Sequence, residues 1–157
     1  MKLHSLLCKW FLNGIGFSKT QSAGYLANHM ARLFATGLQR RIQLLGLATA
    51  QFMVLLELWA QDGLTQRDLV QRVDVEQATM ANTLRRMERD GLIERRPCEG
   101  DKRARIVCLT DRARGLQGAA ILAAQAQNRA ALAGLTVQEQ DQLVDLMTQV
   151  IATMQRG

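Results

Sequence analysis

Residues 64–110 constrain this chain more than any other stretch. Their sequence is "LTQRDLVQRVDVEQATMANTLRRMERDGLIERRPCEGDKRARIVCLT". Thr65 is placed to cap a short amphipathic helix, "QRDLVQRV". "DVE" then allows only a tight turn. A second helix runs from Glu76 to Asp90 and stops at Gly91, a residue suited to a left-handed C-terminal cap. "LIERR" and "RARIVCL" read as two strands joined by a tip, "PCEGDK". Thr110 is placed to cap the next helix.

Two helices joined by a three-residue turn match the helix-turn-helix unit. Leu69, Val73, Met80, Leu84 and Met87 supply its inward apolar positions. Winding 76–90 at roughly 100° per residue places Met80, Leu84 and Met87 on one face. Ala78, Asn82, Arg85 and Arg89 lie opposite, with Ala81 and Arg86 on the flanks. The N-terminal half of that outer face is small and polar: Gln77, Ala78, Thr79, Ala81, Asn82. Such a surface lets a helix sink into a groove, where Gln and Asn can pair with adenine and Arg with guanine. The C-terminal half is cationic and suits phosphates. Thr65 and Gln66, at the start of the first helix, join the expected DNA-contacting set.

The basic hairpin then acquires a purpose, because a β-wing beside a recognition helix reaches the neighbouring minor groove. Arg103 is the candidate for insertion there, drawn by the negative potential of a narrow groove. Asp101 would orient it through a charge-assisted hydrogen bond. Lys102, Arg95, Arg96 and Arg105 are candidate phosphate contacts, although strand alternation means they cannot all face the DNA.

Composition agrees with this reading. The formal net charge is +6 and the pI near 9.9, and sixteen of the twenty basic residues are arginine. A basic balance points to a polyanion, and arginine's planar fork suits phosphates and guanine edges. Apolar residues make up 48% of the chain and aromatics 4%, with one proline, a composition that favours helices. A mainly α fold with a small β-hairpin wing is therefore expected.

The flanking regions are helical by pattern. Residues 20–45 read as a long helix ending at Gly46, and a wide apolar face in "TAQFMVLLELWAQ" marks a central helix from about Thr49. A long alanine-rich helix covers 111–132. Thr136 and Glu139 form a capping box for the last helix. Leu3, Leu6, Leu7, Trp10 and Phe11 make a short apolar stripe near the start, read as an arm packed on a partner helix or, alternatively, a membrane-surface anchor.

No run approaches the roughly 18 apolar residues that span a bilayer. Lys9 interrupts the signal-like start, so a cytoplasmic protein without membrane association is expected. The expected boundaries are 1–46 for N-terminal dimerisation helices, 47–112 for the winged helix-turn-helix and 113–157 for C-terminal dimerisation helices.

Over about residues 45–115 the sequence resembles the MarR family of winged-helix transcriptional regulators. "LTQRDL", "RMERDGLIERR" and the D-x-R of Asp101 and Arg103 followed by "VCLT" carry the resemblance. Two positions depart from it. Asp74 stands where glycine is common, and Asp tolerates a left-handed backbone. Asn82 stands where arginine is frequent, which implies a different base preference.

The resemblance implies a homodimer in which helices from both chain ends interlock. Leu143, Leu146, Met147, Val150, Ile151 and Met154 would then form an interface stripe. It also implies a palindromic operator with half-sites about one helical turn apart, and repression relieved by a small aromatic or anionic effector. Family pockets lie between the first two helices, the long fifth helix and the winged lobe. His29 and Arg32, on one helix face, and Thr49 are the candidate ligand residues.

Other readings compete with ligand-responsive repression. Cys98 lies near Arg95, Arg96 and Arg103, whose charge favours a thiolate, so a redox-responsive regulator is one alternative. A non-specific architectural DNA binder is another, and the varied polar face of the second helix argues against it. His4 and Cys8 have a ligand-like i, i+4 spacing, but no acidic-histidine cluster accompanies them, so no metal is expected. No nucleophile motif or glycine-rich phosphate loop is present, and no enzyme activity or cofactor is expected.

Overall fold

A computed structural model describes residues 18–98 and 101–156, apart from the side chains of 101–104. The N-terminal stripe, His4 and Cys8 therefore lie outside the described residues, as do Glu99 and Gly100. The element order is α1 (Ala23–Ile42), a 3-10 turn (Gln43–Leu45), α2 (Thr49–Ala60), β1 (Leu64–Thr65), α3 (Gln66–Val73), α4 (Gln77–Arg89), β2 (Ile93–Cys98), β3 (Asp101–Leu109), α5 (Asp111–Ala131) and α6 (Val137–Met154). The chain divides into two compact units, Met1–Gly37 and Leu38–Gly157. In the first unit, the N-terminal part of α1 exposes Tyr25, Leu26 and Leu33.

The second unit is built around α2, whose Phe52, Val54, Leu55 and Leu58 are buried. Leu69 of α3 and Met80, Leu84 and Met87 of α4 join the same core. Leu64, Ile93, Val107 and Leu109 bring in the three strands, and α5 adds Ala113 and Ala120, seven residues apart on one stripe. The indole of Trp59 donates to the Ala113 carbonyl at 3.1 Å, joining α2 to α5.

Local chemistry fixes the helix-turn-helix. Thr65 Oγ accepts the Asp68 N–H at 3.2 Å. In return the Asp68 carboxylate accepts the Thr65 N–H at 2.9 Å, closing a capping box. Asp74 adopts φ 54° at the C-terminus of α3, the left-handed turn expected of it. Gly91, at φ 67°, ends α4. Leu92 N–H then bonds the Met87 carbonyl at 2.9 Å, and a side chain at Gly91 would strain this backbone. Thr110 accepts the Ala113 N–H and donates to the Gly91 carbonyl, so the cap of α5 also anchors the end of α4.

The hairpin differs from the sequence expectation. Its strands are longer than "LIERR" and "RARIVCL", and pairing runs through Pro97 with a register shift between Pro97 and Cys98. Proline is tolerated because β2 is an edge strand and pairs with β3 alone. A third strand, β1, was not expected. Leu64 pairs with Val107 and Thr65 with Ile106, so β3 is central. Two residues are too few to leave an alternation pattern.

Asp62 ties this sheet to α5. It accepts N–H bonds from Gly63 and Leu109, each at 2.9 Å, and an Arg114 bond at 2.8 Å. Burial alone would raise its pKa. The bonds from Leu109, Arg114 and Gly63 outweigh burial and hold the carboxyl below the usual aspartate range. A lowered native value means stability that is fully present above the unfolded aspartate range and is lost as pH falls through the folded value. Asp62→Asn is therefore expected to flatten part of the acid limb of melting temperature against pH below about pH 5. An acid limb identical to that of the parent chain would show that the Asp62 charge contributes nothing.

Candidate nucleic-acid interface

α4 presents the outer face that the helical period predicts. Met80, Leu84 and Met87 are buried, while Gln77, Ala78, Thr79, Asn82, Arg85, Arg86 and Arg89 are exposed and Ala81 is half-buried. The burial of one side is what gives the other its fixed aim. A 3.4 Å contact between Gln66 Nε2 and Gln77 Oε1 brings the first turns of α3 and α4 together. Thr65 lies at the same end, with its hydroxyl committed to Asp68.

Asn82 and Arg85 are paired: Arg85 donates to Asn82 Oδ1 at 2.9 Å. That bond occupies the carbonyl an adenine amino group would seek. Reading an adenine through both groups of the amide requires Arg85 to swing away, towards a phosphate or a neighbouring base. One turn on, Arg89 Nε donates to Asp90 at 2.9 Å. Through this bond Asp90 holds the Arg89 guanidinium above its ordinary range, and the Arg89 and Gln51 bonds together hold the Asp90 carboxyl down.

The wing divides its cations between two faces. Register places Arg95 and Arg105 on one side of the sheet and Arg96 on the other. Arg95 is turned towards α4, with its Nε 3.5 Å from Glu88. That Nε is buried and makes no well-aligned hydrogen bond, so Glu88 neutralises Arg95 without fully satisfying it. Arg96 pairs with Glu94 on its own strand. Arg105 is exposed opposite Pro97. Asp101, Lys102 and Arg103 lie at the start of β3, and their side chains fall outside the described residues.

His29 is exposed and meets the Tyr25 ring edge-on at 6.2 Å. Arg32 is exposed, and its carbonyl accepts the Thr36 hydroxyl. Thr49 gives both its N–H and its hydroxyl to Gln39 Oε1, at 2.8 and 3.0 Å. Cys108 is buried, and burial raises its thiol above the usual range, the opposite of what a reactive thiolate needs. Cys98 is half-buried at the end of β2.

Sequence reading missed the groups that hold α4 from behind, Gln51 and Asp90. They meet at 2.8 Å across 39 residues, and no local pattern announces such a pair.

Residues 47–104 match the model of the MarR family. The HTH-type transcriptional regulator TtmR of Methylorubrum extorquens is 35% identical over 68 residues, which is 43% of this chain and 35% of TtmR. The alignment thus spans about a third of that relative's length. Transcriptional regulator HosA of Escherichia coli O157:H7 is 31% identical over 107 residues, 68% of this chain and 79% of HosA. Among solved structures, a probable transcriptional regulator from Pseudomonas aeruginosa matches with a TM-score of 0.79 and 27% identity, covering 85% of this chain and 99% of the other.

Proposed function

The chain belongs to the MarR family of transcriptional regulators, and from that premise we propose that it binds a palindromic operator as a homodimer and represses transcription until a small effector releases it. One observation carries the reading: the outer face of α4, small and polar towards its N-terminus and cationic towards its C-terminus, backed by three buried apolar side chains. A purely electrostatic binder has no use for Gln77, Ala78 and Asn82 on that face. A base-reading helix does.

In this account α4 enters the major groove, and Gln66, Gln77, Thr79, Ala81 and Asn82 approach base edges. Arg85, Arg86 and Arg89 sit on the phosphate rails. The wing carries Asp101, Lys102, Arg103 and Arg105 to the neighbouring minor groove. Arg95 braces the wing against Glu88 and α4 and yields that ion pair to a phosphate when DNA arrives.

α6 supports the dimer. It buries no side chain within the single chain, and Leu146, Met147, Val150, Ile151 and Met154 stand exposed along one stripe. A second copy would cover them. Residues 1–46 and 113–157 then serve dimerisation, and 47–112 serves DNA. The effector is a small aromatic or anionic molecule, with His29, Arg32 and Thr49 as the candidate contacts. Such a regulator works in the cytoplasm. No single helix among the described residues is long and apolar enough to cross a membrane.

Asn82→Ala tests base reading. It is expected to weaken operator binding by about 1–3 kcal/mol while leaving affinity for random duplex nearly unchanged. Equal losses on both duplexes, measured by competition at fixed salt, would remove Asn82 from sequence recognition.

A further inference from the structure

Behind the outer face of α4 lies a buried glutamine with a partner on each side. Gln51 is 5% exposed. Its Oε1 accepts the Ala48 N–H at 2.9 Å, and its Nε2 donates to Asp90 Oδ2 at 2.8 Å. The other carboxylate oxygen of Asp90 holds Arg89. Asp90 is itself fixed: its N–H bonds the Arg86 carbonyl at 2.9 Å, and its carbonyl accepts from Arg112.

The junction between α1 and α2 is held as firmly. Gln39 donates to the Leu47 carbonyl at 3.1 Å and accepts the Thr49 N–H at 2.8 Å, clasping Ala48 from both sides. An unbroken path of hydrogen bonds therefore runs from Gln39 through the junction, Gln51 and Asp90 to Arg89.

We propose that Gln51 is a positioning residue for DNA binding, which through Asp90 aims Arg89 and makes that aim depend on the Leu47–Thr49 junction. The proposal rests on the reading of α4 as the DNA-contacting helix.

Only an amide serves at this position. A carboxylate there would face Asp90 with like charge. An apolar side chain would leave the Ala48 N–H without its bond and give Asp90 Oδ2, on a half-buried side chain, to water. Arg89 needs the help, because its side chain is otherwise solvent-exposed. A free arginine loses rotamer freedom on meeting a phosphate, whereas one already held at Nε has less to lose and keeps its terminal NH2 groups for the ligand. A shift of the junction would pull Gln51, loosen Asp90 and release Arg89. This gives an effector that moves Thr49 a route to the DNA contact without touching it.

The test is a double-mutant cycle on the full chain with a specific operator duplex, at several salt concentrations. Gln51→Met keeps the side-chain volume and removes both bonds. It is expected to weaken binding roughly three- to tenfold and to make the salt slope about one unit shallower, the signature of a lost phosphate contact. Arg89→Ala should produce the same change, and the two together no more than either alone. Asp90→Asn reaches the same link from its exposed end, and should reproduce the shallower slope if Gln51→Met does not fold. A general loss of stability would not alter the slope at temperatures where the variants remain folded.

Additive losses, or a Gln51→Met protein with parental affinity and slope beside a weakened Arg89→Ala, would overturn the proposal and leave the DNA-binding reading intact. Parental binding by Arg89→Ala would instead remove Arg89 from the interface, and with it the premise of the proposal.

Discussion

Ile151→Asp is expected to convert the proposed dimer to a monomer and to weaken operator binding roughly a hundredfold or more. Ile151 is 52% exposed in the single chain and lies within a stripe of apolar residues along α6. An isolated amphipathic helix that buries nothing has no reason to keep that stripe unless another surface covers it. A charge placed there would be buried without a partner in the dimer, and costs nothing in the monomer. DNA affinity should fall because one lobe loses the help of the other on a two-part site. Light scattering should show the parent at about double the 17.5 kDa chain mass and the variant near that mass. A variant that remains dimeric would place the interface elsewhere.

Leu84→Ala should destabilise the fold by about 2–5 kcal/mol. Leu84 is fully buried on the inner face of α4, where it meets the core built on α2, the sheet and α5. Its removal leaves a cavity directly beneath the helix that must be held in place for groove entry. Arg85→Ala, one residue along and exposed, should change stability by no more than about 0.5 kcal/mol. Denaturant unfolding at one protein concentration makes the comparison, since the proposed dimer would tie stability to concentration. A loss below about 1 kcal/mol for Leu84→Ala would mean that α4 is not packed on this core.

The contrast between Leu84 and Arg85 also shows what was legible in the sequence. The two faces of α4 could be read because helical period converts spacing into direction, and burial follows it. The caps at Thr65, Thr110 and Thr136, the turn at Asp74 and the stop at Gly91 were legible for the same reason, since each depends on neighbours within a few residues. The family resemblance carried the rest of the architecture.

The features that escaped depend on pairing across the chain. β1 exists because Leu64 and Thr65 find Val107 and Ile106. The wing strands lengthen because pairing continues past a proline on an edge strand. The Arg95–Glu88 ion pair between wing and α4 is likewise set by strand register. The Gln51–Asp90 and Asp62–Leu109 bonds span 39 and 47 residues. No composition or period predicts such partners. Thr49 likewise was a candidate ligand residue through the family resemblance, with no local sign that Gln39 takes both of its donors.

Sequence-specific DNA binding can be measured by fluorescence anisotropy. The duplex would come from just upstream of the protein's own gene. A scrambled duplex of equal length would serve as the control, with both measured at two salt concentrations. Binding to the native duplex at least about a thousandfold tighter than to the scrambled one, with the preference kept at the higher salt, is the predicted result. Equal affinity for both duplexes, falling steeply with salt, would contradict it and make the protein a phosphate-dominated binder. A selection from random sequence would then have to return no preferred site for that contradiction to stand.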